Sequence, residues 1–161
     1  MKVLMLNGSC NPKGCTYTAL TEVGKTLTSA GIDYEIVQLG GGPVRDCIGC
    51  NQCSKNGCVF TDDGVNDFIA KARQADGFVF GTPVYYAHPS GRVLSFLDRV
   101  FYAGGSAFAG KPGAAVASAR RAGTTASLDA LGGEYHTPEG TSVWLADVEL
   151  EPYQALLVKN K

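Results

Sequence analysis

Four cysteines lie close together in the chain, at Cys47, Cys50, Cys53 and Cys58. Their spacing is C-x2-C-x2-C-x4-C, and gaps of two residues allow successive sulfurs to point towards one centre, as they do around a 4Fe-4S cluster. Zinc is a second possibility, although structural zinc sites usually draw their paired ligands from two separated segments. The third is a thiol-rich turn without metal. The spacing alone does not choose between these three.

A loop of small polar residues follows the first apolar run, Val3 to Leu6. It leads through Gly14 and Cys15 into an amphipathic helix. Free N–H groups and the positive end of the helix dipole favour an anion at such a junction. Ser9 and Thr16 can add hydroxyl donors. The loop has neither the lysine of ATP and GTP sites nor the three-glycine dinucleotide fingerprint. It therefore predicts a phosphate site whose ligand must be inferred from the rest of the chain.

The elements that position this loop alternate between strands and helices. Further strands are predicted at 32–39, near a sheet edge, and at 77–82 and 113–118. Thr61, Asp62 and Asp63 are predicted to cap a helix whose face carries Val65, Phe68, Ile69 and Ala72. The alternation is typical of a parallel sheet with helices on both faces. Ligands of such sheets bind outside the carboxyl ends of the strands.

Three loops are expected at that edge, at 8–16, 83–91 and 118–125. A single ligand that contacts all three would be elongated. Its phosphate would lie at the first loop, and a flat apolar part would lie near Tyr85 and Tyr86, since flat cofactors favour aromatic walls. The two histidines, His88 and His136, have no obvious partners for acid–base catalysis.

Length and charge narrow the class of protein. A chain of 161 residues fits one domain, 1–161. A net charge of −1 provides no basic stripe for nucleic acid, and no segment approaches the roughly 18 apolar residues that span a membrane. The start of the chain lacks the features of a secretion signal. We therefore expect a cytoplasmic protein, whose six cysteines stay reduced.

Four stretches of the chain resemble the flavodoxin-like NADPH-dependent FMN reductases, including their iron-sulfur flavoprotein branch. They are NGSCNPKGCTYTAL, DCIGCNQC, ADGFVFGTPVYYAHPSGRVLSFLDR and FAGKPGAAVASARRAGTT, and together they cover residues 1 to about 130. The resemblance implies a flavodoxin-like fold: a doubly wound parallel sheet in a three-layer α/β/α sandwich with strand order 2-1-3-4-5. It also implies non-covalently bound FMN, with NAD(P)H as a substrate.

By position in these motifs, the resemblance implies three sets of FMN-binding residues. The phosphate set is Ser9, Lys13, Gly14, Cys15 and Thr16. The set that flanks the isoalloxazine ring is Pro83, Val84, Tyr85 and Tyr86. The set at the far edge of the ring is Ser118, Arg120, Gly123 and Thr124. In the iron-sulfur branch, a spacing close to that of Cys47, Cys50, Cys53 and Cys58 holds a 4Fe-4S cluster. Because flavin carries the redox chemistry, no protein nucleophile is expected.

The chain departs from the family after residue 131. Relatives usually continue with a strand, a loop and a long helix, whereas residues 132–161 form a short, atypical end. A fifth strand is predicted there from Val143, Leu145, Val148 and Leu150, and it stops at Glu151-Pro152.

Three functions are compatible with the sequence. The first is an FMN-dependent oxidoreductase that uses NAD(P)H to reduce a small acceptor such as a quinone, a flavin or a nitro compound. The second is an electron carrier with FMN and a 4Fe-4S cluster that exchanges electrons with a ferredoxin-like protein. The third is a non-enzymatic cysteine-based redox or metal sensor. A homodimer or higher homo-oligomer is expected for the flavoproteins.

Overall fold

The computed structural model describes residues 1–53 and 57–131, together with the backbone of short strands at 135–136, 142–143 and 159–160. The strands are β1 (Lys2–Asn7), β2 (Asp33–Gln38), β3 (Gly77–Tyr85), β4 (His88–Pro89), β5 (Gly113–Ser118), β6 (Tyr135–His136), β7 (Ser142–Val143) and β8 (Lys159–Asn160). The helices are α1 (Cys15–Ser29), α2 (Val65–Ala72), α3 (Gly91–Gly104) and α4 (Thr124–Leu131), and a 3-10 turn spans Gly105–Ala107.

Four strands form a parallel sheet in the order β2-β1-β3-β5. In its register Val3 pairs with Tyr34 on one side and with Gly77 on the other. Strand β4 turns back antiparallel onto the end of β3, where Tyr85 pairs with His88. The predicted flavodoxin-like order is therefore confirmed for the crossover strands, with β5 in the fourth place and β2 at the edge.

The two faces of the sheet bury separate apolar clusters. Helices α2 and α3 pack on one face, where Phe68 and Phe96 meet edge to face with ring centroids 5.4 Å apart. Helix α1 covers the other face, where Leu20 packs against Met5 and Val79. Side chains alternate between faces along a strand, so β1 sends Leu4 and Leu6 to the first cluster and Met5 to the second. The result is the predicted three-layer arrangement.

The start of α2 differs from the prediction. Its N-cap is Gly64, with φ of 77° and no side-chain cap, so Thr61, Asp62 and Asp63 do not cap it. The Asp63 carboxylate pairs instead with the buried guanidinium of Arg99. A buried charge without a partner is costly, and this requirement outweighs a local capping preference.

Strand β3 is also longer than predicted, since it continues through Pro83 to Tyr85 before the chain turns. The region 83–91 is therefore a short hairpin and not an open loop. Ser90 follows the hairpin as the N-cap of α3, and Gly91 is the first residue of that helix.

The C-terminal region is described only in part. Val143 lies in β7, which pairs antiparallel with β6, and β6 also pairs with β8. Val143 therefore does not extend the parallel sheet as the predicted fifth strand required, and Leu145, Val148 and Leu150 lie outside the described residues. In the described part of the chain, no helix has the length and apolar character needed to cross a membrane.

Candidate functional site

The loop after β1 is pressed against the neighbouring strand. Gly8 N–H donates to the Gly81 carbonyl oxygen at 2.8 Å. A Cβ atom on Gly8 would lie 2.7 Å from that oxygen and would overlap the Val93 side chain. Glycine is therefore required here by close approach, and the chain enters the loop along a fixed path.

Side-chain oxygens then hold the loop in a series of local turns. Asn7 Oδ1 accepts from Ser9 N, Ser9 Oγ from Asn11 N, and Asn11 Oδ1 from Lys13 N, at 3.1–3.2 Å. Gln38 on β2 adds a bond from its Nε2 to the Ser9 carbonyl at 2.5 Å. Asn7, Asn11 and Gln38 were not predicted as site residues. The alternation of Asn and Ser at every second position is the signal that identifies the turns.

The N-terminus of α1 lies at the end of this loop. Gly14 is its N-cap and makes no side-chain capping bond, so no side chain caps the first-turn N–H groups. Lys13 and Cys15 are exposed beside it, whereas Thr16 is buried. Thr16 Oγ1 and Ser118 Oγ lie 2.7 Å apart. That contact joins a residue predicted at the phosphate to one predicted at the far edge of the ring.

The β3–β4 hairpin forms a second wall at the same edge of the sheet. Thr82 is buried at its base, donates to the Pro83 carbonyl at 2.9 Å and accepts from Ser90 N at 3.1 Å. At its tip Tyr86 and Ala87 both have positive φ angles, of 49° and 70°, as a tight two-residue hairpin turn requires. The Tyr85 side chain is 51% exposed and that of Tyr86 is 99% exposed.

The hairpin contacts both other loops. Tyr85 Oη lies 3.8 Å from Cys10 Sγ in the first loop, and this hydrogen bond, followed by partial desolvation, raises the pKa of Tyr85. On the other side Gly123, with φ of 95°, is so close to the hairpin that a Cβ would lie 2.7 Å from Ala87 Cα and 2.8 Å from Val84 Cγ1. The structure thus brings all three predicted loops together. Arg120 in the third loop is exposed.

A separate cavity of about 610 Å³ lies beside α3. All four clustered cysteines line it, together with Asp98, Arg99 and Tyr102 of α3 and with Ile48, Val59 and Phe60. Partial desolvation, and then the charges of Cys58, Cys50 and Cys47, raise the pKa of Cys53. The neighbouring thiols therefore favour the protonated form of Cys53.

Arg99 connects this cavity to the body of the fold. Its guanidinium is 1% exposed, donates to Asp63 and lies 3.3 Å from Cys58 Sγ through Nε. Burial alone would lower the pKa of Arg99, but the hydrogen bonds to Asp63 and Cys58 raise it above its usual value. The Nε–H group thereby fixes the position of the Cys58 sulfur at the wall of the cavity.

The side chains at the two sites have the chemistry that the groups implied by the resemblance require. An uncapped helix N-terminus suits a phosphate, and exposed tyrosines beside it suit a flat ring. Four thiols around one cavity are the donor set of an iron–sulfur cluster. Within residues 1–53 and 57–131, however, no three or more His, Cys, Asp or Glu side chains are placed to hold a metal ion. The six cysteines are free thiols.

The parallel sheet, its helical layers and the loops at its carboxyl edge define a flavodoxin-like protein. The flavoenzyme NAD(P)H:acceptor oxidoreductase FerB from Paracoccus denitrificans has a similar fold, with a TM-score of 0.58 at 16% identity over 81% of this chain and 68% of that chain. An NADH:FMN oxidoreductase in its apo form gives a TM-score of 0.52 at 20% identity over 80% of this chain and 63% of that one.

The family profile described as NADPH-dependent FMN reductase matches residues 1–136, so the chain belongs to that family. It is 35% identical over 100 residues to an iron-sulfur flavoprotein of Methanocaldococcus jannaschii, covering 62% of this chain and 51% of that protein. An iron-sulfur flavoprotein of Archaeoglobus fulgidus is 33% identical over 99 residues, 62% of this chain and 48% of its own length. The chain therefore spans about half the length of these curated relatives.

Proposed function

We propose that this protein is an FMN-dependent oxidoreductase in which NAD(P)H supplies electrons for a small acceptor such as a quinone, a flavin or a nitro compound. One observation supports this most directly. Three strand-end loops meet around the uncapped start of α1, and the hairpin presents Tyr85 beside the first of them. Family membership makes FMN the ligand that fits both the anion site and the aromatic wall.

The predicted FMN-binding residues have distinct tasks in this proposal. The first-turn amides of α1 and the side chain of Lys13 bind the phosphate, and Ser9 shapes the loop through its bond to Asn11 N. Thr16 and Ser118 are hydrogen-bonded to each other, and they hold the first and third loops at a fixed separation. A hydroxyl can both donate and accept, so this contact leaves each able to bond the cofactor as well.

The hairpin and the third loop would hold the flat part of the cofactor. Pro83 and Val84 supply backbone along its edge, and Tyr85 and Tyr86 supply aromatic surface. Gly123 and Thr124 follow at the opposite edge, where the exposed Arg120 can offer a cation. FMN itself supplies the redox chemistry when bound. We also propose that the protein is a single domain, cytoplasmic and a homodimer or higher homo-oligomer.

A charge change at Cys15 tests the phosphate assignment without disturbing the core. Cys15 is exposed in the first turn of α1, where the helix dipole stabilises an acidic side chain. Cys15→Asp should therefore fold normally but weaken FMN binding at least tenfold, because its carboxylate would face the phosphate. Cys15→Asn is the matched neutral control and should bind nearly as the parent does. The measurement is quenching of flavin fluorescence during titration.

Riboflavin separates the phosphate from the ring in the same experiment. It lacks the phosphate, so its weaker binding should be the same in both variants. Equal FMN affinities for the Asp and Asn variants would contradict the phosphate site at α1. FMN binding without NADH or NADPH oxidation would contradict the proposed activity but not the site.

The cysteine cavity favours a second candidate function, an electron carrier with FMN and a 4Fe-4S cluster that works with a ferredoxin-like protein. All four cysteines line one cavity, and the curated relatives are named iron-sulfur flavoproteins. In anaerobically reconstituted protein we expect about four irons per chain, lost in Cys53→Ser and retained in Cys15→Ser. Background iron in the parent would exclude this candidate and leave the oxidoreductase. Protein that binds neither iron nor FMN would favour the thiol-sensor hypothesis.

A further inference from the structure

Cys58 is held by three hydrogen bonds from side chains of α2 and α3. Its backbone N–H donates to Asn66 Oδ1 at 2.8 Å, and its carbonyl accepts from Asn66 Nδ2 at 2.8 Å. Its sulfur accepts from Arg99 Nε at 3.3 Å. Cys47 and Cys53 are exposed on the loop, whereas Cys58 is half-buried against two helices.

All three nitrogens of the Arg99 guanidinium donate hydrogen bonds. Its remaining nitrogens donate to both carboxylate oxygens of Asp63 and to the carbonyls of Arg45 and Phe60, the last two at 3.2 and 3.3 Å. A guanidinium offers five N–H donors in a rigid plane, so this bonding directs Nε at the sulfur. The contact is therefore not an incidental one made by a mobile side chain.

We infer that Arg99 is a positioning residue of the cysteine cavity. Arg99 presents Cys58 as the fixed ligand of a cluster and donates an N–H···S hydrogen bond to its sulfur. Asn66 fixes the backbone of the same ligand. The inference rests on the second function proposed above, that the cavity holds a 4Fe-4S cluster. Hydrogen bonds to ligand sulfurs and the groups that orient them set both cluster retention and reduction potential.

Arg45 is a matched control for Arg99. The guanidinium carbons lie 5.0 Å (Arg45) and 5.1 Å (Arg99) from the centre of the same Phe60 ring. Arg45 pairs with Asp62 at 2.8 Å, as Arg99 pairs with Asp63. In the described part of the chain, the Arg45 guanidinium has no hydrogen bond to a cysteine. Its removal should perturb the same segment without touching a ligand.

Two changes at Arg99 remove the bond to sulfur in different ways. Arg99→Lys keeps the charge and can still pair with Asp63, but it loses the Nε–H donor. The double variant Arg99→Gln/Asp63→Asn leaves a neutral pair. It is used in place of the single glutamine variant, which would leave the buried Asp63 carboxylate unpaired and would be destabilised for that reason alone. Arg45→Gln/Asp62→Asn is the control. Asn66→Asp tests the backbone anchor, since a carboxylate cannot donate to the Cys58 carbonyl.

The experiment uses anaerobically reconstituted full chain, with iron and sulfide per chain, bound FMN, resistance of the iron to a chelator and the cluster's reduction potential as readouts. Both Arg99 variants should lose iron to the chelator about tenfold to a hundredfold more readily than the parent. Their potentials should become more negative, because the reduced cluster loses a hydrogen bond to its sulfur. Asn66→Asp should lose iron more readily, and the Arg45 control should match the parent.

Other outcomes would overturn the inference. If the Arg99 variants keep the parent's potential and chelator resistance, or if the Arg45 control changes as they do, Arg99 has only a structural role. Background iron in a parent that binds FMN would overturn this inference together with the electron-carrier function and leave the oxidoreductase standing. FMN binding measured on the same samples keeps these failures distinct.

Discussion

At the scale of single residues, the charges around α2 show where local rules fail. Sequence alone assigns Asp63 to a helix cap, because Asp is a common N-cap residue. In the structure its carboxylate instead accepts a hydrogen bond from Arg99 of α3, which lies 36 positions further along the chain. Only the fold brings these two charges together, and a prediction from local sequence patterns cannot detect contacts between residues so far apart in the chain.

Tyr85 is the residue whose predicted role can be tested with least risk to the fold. It is half exposed and lies at the hairpin beside Cys10. Tyr85→Ala should weaken FMN binding about five- to tenfold and shift the absorption bands of bound flavin, because a stacked ring contributes roughly 1 kcal/mol. Tyr85→Phe keeps the ring and should bind nearly as the parent does. Fluorescence titration and the spectrum at saturating FMN are the measurements.

The phenylalanine variant also separates the ring from the hydroxyl. If it weakens FMN as much as alanine does, the hydroxyl and its bond to Cys10 matter, and ring stacking is not the cause. A Tyr85→Ala variant with unchanged affinity and spectrum would place Tyr85 away from the flavin.

At the scale of elements, the crossover strands and helices could be predicted because their signals are local. Apolar runs marked β1, β3 and β5, and Gly31, with φ of 71°, follows α1 in the left-handed conformation expected of a helix end. Strand order is not local, and it came from the resemblance to a known family. The β3–β4 hairpin escaped prediction because its turn uses Tyr86 and Ala87 where Asn and Gly are usual.

The segment between β2 and α2 shows a limit of another kind. Its described residues contain no helix or strand element, so periodicity says nothing about it. Side chains of α3 hold it instead: Arg92 Nη2 donates to the Gly42 carbonyl at 2.5 Å, and Ser95 donates to Asp46. The first of these bonds joins residues 50 positions apart. The cysteine spacing was evident in the sequence, but the way α3 supports it was not.

At the scale of the whole molecule, the candidate cofactor site and a charge network that contributes to stability lie near different ends of the strands. The candidate flavin site lies at the carboxyl ends of the strands. Near their amino ends, Glu35 accepts from Lys2 at 2.6 Å and from Lys71 at 2.5 Å, and Lys2 N donates to Asp76 at 2.7 Å. This network joins β1, β2 and α2 without contacting the predicted cofactor residues. A change there should therefore alter stability and leave FMN affinity unchanged.

Glu35 gives the network a definite pH dependence. Hydrogen bonds from Lys2 and then Lys71 hold the pKa of Glu35 below its usual value, which is about 4.3. A carboxyl whose pKa is lowered by folding stabilises the folded state above the unfolded pKa, and this contribution disappears as the pH falls through the folded pKa. Its size should be about 1 kcal/mol or less, because the three side chains are partly exposed and solvent screens them.

Glu35→Gln should accordingly lower the free energy of unfolding in urea at pH 7 by up to about 1 kcal/mol. The difference from the parent should shrink as the pH falls through the lowered pKa of Glu35 in the folded protein, because the parent's carboxyl then also becomes neutral. Glu22→Gln, which removes an exposed helical pair with Lys25, is the control and should have little effect at any pH. A stability gap for Glu35→Gln that stays unchanged down to the lowest pH at which the parent remains folded would mean that the glutamate acts through packing and not through its charge.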